Sequence, residues 1–291
     1  FNIFYEKYEK IQEMECPKLL SSVLKKHVNN DNLFPSSQVM EHTYEKLIQE
    51  SLRTKSGSYY TPQPIVQYIT VQSILYYIDS QINNNKESLK DYILGKTNTL
   101  SFDYILQTIQ LLKGIRIIDI ACGGGVFLRQ SLQFLYTLNK TLFQLIGKDY
   151  NDKNLLKQIL QNNLYGVDIQ EETAILCKLL LTIEAESLCK SSIGDIDLHI
   201  FNEDVLSMDF AKTIGEKDGF HIVLGNPPYI GEKGNKSLFQ AIRLKEFGEK
   251  YYERNMDYFY FFIYKAYEIL IQKGIIGYIT TNYFVTADGA K

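Results

Sequence analysis

At 291 residues, 45% of them apolar and 22% charged, the chain has the composition of a globular protein long enough to bury one large core. Its net charge of −3 argues against a uniformly basic nucleic-acid binder, so any grip on phosphates must come from a local face or from another domain. No stretch approaches the roughly 18 uninterrupted apolar residues needed to span a bilayer, and Cys16, Cys122, Cys177 and Cys189 lack the paired spacing of a zinc or disulfide framework, which reads as reduced thiols.

The start, from Phe1 to Glu6, has no initiator Met and no basic-then-apolar signal pattern, and a cytoplasmic context is expected. Residues 1–55 read as a polar, helical accessory segment with charged clusters such as Lys25-Lys26. A turn-rich punctuation follows, Ser56-Gly57-Ser58-Tyr59-Tyr60-Thr61-Pro62, and from it a domain over residues 56–291 is expected. Ile65, Ile69, Ile74 and Ile78 predict a helix with one apolar stripe. Residues 79–110, rich in Asn, Ser, Lys and Thr, read as a loop-plus-helix insertion.

From Ile115 onward short apolar runs alternate with helical stretches. Strands are expected at Ile115–Ile120, Leu164–Asp168, Leu198–Asn202, Ile222–Gly225 and Ile275–Thr280, and helices at Val126–Thr137, Glu171–Leu188 and Tyr258–Gln272. That alternation predicts an α/β fold: a Rossmann-like, mostly parallel sheet with helices on both faces. Ligands bind such sheets at the carboxyl ends of the strands, and the unusual residues fall there.

The first strand runs into Asp119-Ile120-Ala121-Cys122-Gly123-Gly124-Gly125, a tight glycine-rich turn into a helix; the third glycine of a dinucleotide fingerprint is replaced by Leu128. The second ends in Asp168, placed to accept from the ribose hydroxyls of a nucleoside-like cofactor or else to cap the next helix. The third leads to Asp204, where a carboxylate can take an adenine amino group. The fourth ends in Asn226-Pro227-Pro228-Tyr229. Proline fixes its own φ and holds the preceding residue extended, so the Asn226 side-chain oxygen and the Pro227 carbonyl both project where substrate would sit. An aromatic amine is a poor nucleophile because its lone pair is delocalised. Two acceptors taking its N–H groups favour a tetrahedral nitrogen and aim the lone pair at a methyl donor. Tyr229 can stack on a base flipped out of a duplex.

Together, Asn226-Pro227-Pro228-Tyr229, Asp119 to Gly125 and Ser56 to Pro62 resemble the gamma class of N6-adenine DNA methyltransferases of restriction–modification systems, including the fused type IIG group and related phage-defence enzymes. The likeness runs from about Gly57 to the end of the chain, with the Tyr-Thr-Pro segment ahead of the glycine-rich loop as in that class. It implies transfer of a methyl group from S-adenosyl-L-methionine to the adenine amino group in double-stranded DNA, with Asn226, Pro227, Pro228 and Tyr229 catalytic. It further implies that Tyr60, Thr61, Pro62, Asp119, Ala121 and Gly123 hold the methionine end of the cofactor. Asp168 and Ile169 would take the ribose side and Asp204 and Val205 the adenine, with Asn226 and Pro228 also bordering the cofactor. Tyr229 and Phe284 would hold the flipped base, Tyr283 being equally placed. Asp257-Tyr258-Phe259 resembles the segment whose helix lines the cofactor pocket, although a buried aromatic helix face explains most of those residues. The sequence stops at Lys291 within what reads as an unfinished segment; the last strands of the family's sheet and a target-recognition domain or specificity subunit are expected outside it.

Two other readings remain. Amino-methyltransferases that modify a protein glutamine or a ribosomal RNA guanine solve the same electronic problem with the same tetrapeptide. A decayed, non-catalytic DNA-binding scaffold is the second, against which stands the presence of Asn226, Tyr229, Asp168 and Asp204.

Overall fold

The computed structural model describes residues 61–82, 88–213, 215 and 219–281. The chain divides into two compact units, Phe1–Tyr60 and Thr61–Lys291. The expected helical segment 1–55, Tyr60, and the candidates Tyr283 and Phe284 lie outside the described residues.

The second unit opens with α1 (Gln63–Gln81), α2 (Leu89–Ile93) and α3 (Phe102–Gly114), followed by β1 (Ile117–Asp119). Then come α4 (Val126–Leu145), α5 (Asp152–Asn162), β2 (Leu164–Asp168), α6 (Glu171–Cys189) and β3 (His199–Asn202). The remainder is α7 (Phe210–Thr213), β4 (Phe220–Gly225), α8 (Lys236–Arg243), α9 (Glu246–Tyr251), α10 (Phe259–Ile269) and β5 (Leu270–Tyr278). The strands form one sheet in the order β3-β2-β1-β4-β5, and every pairing is parallel. This is the Rossmann-like α/β fold expected from the alternation of apolar runs.

Side chains leave a strand alternately to either face, and here both faces are apolar. Ile117, Leu164, Ile222 and Leu224 enter a core shared with α1, α3, α4, α5 and α6. Ile118, Tyr165, Val167 and Val223 enter a second core with the aromatic helix α10 and with α8. A sheet covered on both sides needs near-continuous apolar strands, which is what β1 and β4 supply.

Several boundaries differ from expectation. Ile115 caps α3 rather than starting β1: its carbonyl and that of Leu112 accept from Asn163 Nδ2 at 2.6 and 3.0 Å. Helix α3 is no insertion, because Tyr104, Ile105, Ile109 and Leu112 belong to the first core. Helix α4 continues past Thr137 to Leu145, and α5 was not expected, although Asn151 caps it and Leu155, Leu156, Ile159 and Leu160 form its buried stripe. The four isoleucines of α1 do not share a face. Ile65 is exposed while Ile74 and Ile78 are fully buried, and the inward stripe is Val66, Thr70, Ser73, Ile74, Tyr77 and Ile78. Helix α10 ends at Ile269 instead of Gln272, and β5 begins at once; its regular pairing with β4 runs from Ile275 to Tyr278, beyond a register shift.

Asn163 is buried and donates to two carbonyls at the end of α3. Substituting it by alanine leaves both acceptors without that donor, so N163A is expected to lose about 1–3 kcal/mol of stability, read as a lower urea midpoint at unchanged m-value.

Candidate active site

The strand order reverses at β1: β2 and β3 lie on one side, β4 and β5 on the other. The loops leaving β1 and β4 therefore diverge and open a crevice at their carboxyl ends, where such sheets bind ligands.

On the β1 side, Asp119 is 2% exposed and its Oδ1 accepts from the Ala121 N–H at 3.0 Å. Burial pushes its carboxyl up to about 7, against the opposing Ala121 hydrogen bond and with the nearby Asp168 charge adding to the rise. The glycine-rich loop is fastened to β2: Cys122 N–H donates to the Val167 carbonyl at 3.0 Å and Gly123 N–H to Asp168 Oδ2 at 2.8 Å. Gly125, the first residue before α4, has φ of 77°, and a Cβ there would sit 2.5 Å from Cys177 Sγ of α6. Only glycine lets α4 start so close to α6. Cys122 and Cys177 are buried thiols, and the neighbouring Cys177 together with burial holds the Cys122 thiol well above its usual range.

Asp168, the last residue of β2, holds more than one element. Besides Gly123, its Oδ1 accepts from the Gln170 N–H at 2.9 Å and the Thr173 hydroxyl at 2.7 Å, which fastens the start of α6. The two sequence readings of this acid, helix cap and ligand acceptor, thus compete for the same oxygens, and Oδ2 with its single donor keeps room for another. The adjoining Ile169 is 66% exposed, an apolar side chain left facing solvent at a strand end.

Asp204 lies two residues beyond β3, beside the buried Val205. Its Oδ1 accepts from the Leu206 N–H, and its Oδ2 from the Ser207 hydroxyl and from Lys245 Nζ, the last at 2.7 Å. Burial raises this carboxyl's pKa, but Lys245 and Ser207 outweigh that and hold it below the usual range. No pattern in the sequence pointed to Lys245, which reaches Asp204 from the turn between α8 and α9.

On the β4 side, Gly225 passes so close to β1 that a Cβ would lie 2.9 Å from Asp119 Oδ1. Asn226, the buried Pro227, Pro228 and Tyr229 follow directly. Asn226 Nδ2 donates to Thr61 Oγ1 at 3.0 Å, and the Tyr229 hydroxyl lies 2.7 Å from Asn226 Oδ1 and 2.5 Å from the Ile279 carbonyl. The Tyr229 ring rests against Phe259 of α10. Thr61 arrives here because α1 lies along α4, β4 and β5, with Gln63 bonded to Gln130 at 3.0 Å. The structure thus brings Thr61, Asp119, Ala121, Gly123, Asp168 and Asn226 to one rim of the sheet, while Asp204 and Val205 stand at the neighbouring β3 end.

The all-parallel sheet with its order reversal at β1 and helices on both faces is a Rossmann-like domain. Residues 162–291 match the family described as Eco57I restriction-modification methylase. The chain is 25% identical over 300 residues to the type II restriction enzyme and methyltransferase RM.Eco57I of Escherichia coli, covering 88% of this chain and 28% of that protein. It is 30% identical over 160 residues to a Methanocaldococcus jannaschii protein assigned as a type II restriction enzyme and methyltransferase, RM.MjaORFECS2P, covering 49% of this chain and 13% of that one. The chain therefore spans well under a third of either relative. Among solved structures, the ATP-dependent type ISP restriction-modification enzyme LlaBIII bound to DNA superposes with a TM-score of 0.55 at 16% identity, over 87% of this chain and 17% of that one, a likeness of fold. Among the described residues no helix is long and apolar enough to cross a membrane.

The pKa of Asp119 has a consequence for stability. An acid whose folded-state pKa is raised from 3.8 to about 7 binds its proton more tightly when folded, so stability falls as pH rises through that window. Between pH 4 and pH 7 the ligand-free wild type should lose stability relative to D119N, whose amide does not titrate; parallel denaturation curves at pH 5 and pH 8 check this.

Proposed function

We propose that this chain is the methyl-transferring part of a restriction–modification or phage-defence enzyme, one that methylates the N6 amino group of a flipped adenine in double-stranded DNA. The observation that carries the reading is the Asn226-Pro227-Pro228-Tyr229 loop at the end of β4, across the strand-order reversal from the buried Asp119 and the glycine-rich loop. The family match over residues 162–291 supports it, as does the likeness to an Escherichia coli protein named adenine-specific methyltransferase BrxX, 26% identical over 172 residues. Target choice is assigned to a target-recognition domain or specificity subunit elsewhere in the complete enzyme, and the setting is the cytoplasm.

The residues fit S-adenosyl-L-methionine. Asp119 and the Ala121–Gly123 turn present a carboxylate and backbone to its ammonium end, Asp168 Oδ2 has room for a ribose hydroxyl, and exposed Ile169 offers an apolar face to the nucleoside. Asp204 is paired with Lys245, but an ion pair this exposed contributes about 1 kcal/mol or less, so an adenine amino group can compete for it. When bound, the cofactor supplies an electrophilic methyl group on a sulfonium. The chain's own part is orientation. Asn226 Oδ1 and the Pro227 carbonyl each accept one N–H of the target amine, which draws the nitrogen out of conjugation and points its lone pair at the crevice. The amine takes the acceptor that the Tyr229 hydroxyl faces in the resting site, and the Tyr229 ring lines the base-binding wall. Phe284, or the adjoining Tyr283, is assigned to holding the flipped base as well.

Tritiated methyl transfer to unmethylated DNA tests the proposal, with a release factor and ribosomal RNA as the competing substrates. Label on adenine is expected; label confined to the protein or the RNA would overturn the assignment. N226A should cut methyl transfer at least about a hundredfold with cofactor affinity little changed. D168A should instead weaken cofactor binding about tenfold or more, measured by calorimetry, since it removes a charged hydrogen-bond acceptor.

A further inference from the structure

The Asn226 amide is held at both ends, by Thr61 Oγ1 on Nδ2 and by the Tyr229 hydroxyl on Oδ1. The two ends are nearly equal in size and opposite in chemistry, one a donor and one an acceptor. A hydroxyl both donates and accepts, so Thr61 can bond either end of the amide; what it fixes is where the side chain sits.

We propose that Thr61 is a positioning residue that anchors the Asn226 side chain beside the target amine during methyl transfer, an inference that rests on the functional reading above. The reason lies in the other hydrogen bond. The Tyr229 hydroxyl has one proton and two acceptors, Asn226 Oδ1 at 2.7 Å and the Ile279 carbonyl at 2.5 Å. When a substrate N–H takes Oδ1, the Tyr229 proton turns to the Ile279 carbonyl. Tyr229 then ceases to hold the amide, and among the described residues Thr61 is the partner left on it. Thr61 is suited to this: it is 6% exposed, it stands one residue ahead of Pro62 at the start of α1, and the next residue, Gln63, is tied to Gln130 of α4. A buried hydroxyl on a fixed helix start is a rigid reference for a loop that must receive a flipped base. In the resemblance noted from the sequence Thr61 is a cofactor contact; here its side chain serves the catalytic asparagine.

Valine at this position keeps the shape of threonine and removes the hydroxyl; serine keeps the hydroxyl. Single-turnover transfer from tritiated S-adenosyl-L-methionine to unmethylated DNA, in the full-length protein that carries this chain, should slow about 10- to 100-fold in T61V. Cofactor affinity by calorimetry should stay within about threefold, and T61S should recover the rate to within about threefold of wild type. Because Thr61 acts through Asn226, T61V should add no further loss in an N226A background. T61V at the wild-type rate, a T61V defect confined to cofactor affinity, a T61S as slow as T61V, or full additivity with N226A would each overturn the assignment. A wild-type protein that labels no adenine would show a different failure, that of the functional reading, and this inference would fall with it.

Discussion

The reversal of strand order at β1 is the constraint on which the rest of the site depends. β1 is only Ile117–Asp119, yet it is paired on both sides, to β2 and to β4. Because the chain leaves β1 toward β2 and returns at β4, the two following loops separate, the arrangement that opens a crevice at the strand ends of such sheets. The apolar interior of β1, with Ile117 and Ile118 wholly buried on opposite faces, holds that strand in register. The carboxylate at its end is thereby carried into the crevice.

Burial then decides the chemical character of the crevice floor. A carboxyl as enclosed as Asp119 is costly to ionise, and one N–H from Ala121 is modest compensation. A cationic group arriving from a ligand would supply the missing partner, which is a physical reason for such an acid to persist there. Asp168 is the contrasting case. It spends its oxygens on the glycine-rich loop and on the start of α6, so the same side chain that would meet a ribose also braces the loop beneath it. The close passage of Gly125 past Cys177 and of Gly225 past Asp119 completes a floor in which backbone, not side chain, approaches the ligand space.

The loop after β4 shows how far a motif depends on its neighbours. Two prolines extend the backbone, but they do not orient the Asn226 amide. The amide is bonded instead by Thr61, 165 residues earlier, and by Tyr229, whose hydroxyl also meets Ile279. Both outside partners reach the loop only because α1 and β5 lie alongside β4. The placement of the Asn226 side chain is therefore a property of three separated segments.

The sequence alone determined the alternation of strands and helices, the parallel sheet, and the acids and the Asn-Pro-Pro-Tyr loop at the strand ends. Each of these is written in local periodicity and backbone chemistry: apolar runs of strand length, glycines where a turn must be tight, prolines where φ must be fixed. The limits of local reading show in α1, whose isoleucines suggested a stripe that the helix period does not make, and in α5, whose short apolar stripe lay between polar residues. What only the tertiary structure decided is which groups meet: Thr61 with Asn226, Lys245 with Asp204, Asn163 with the end of α3, Tyr229 with Ile279. These hydrogen bonds join residues far apart in the chain, and their partners carry no periodicity and no motif. They exist because the packing of helices on a twisted sheet brings polar atoms within reach that must then be satisfied.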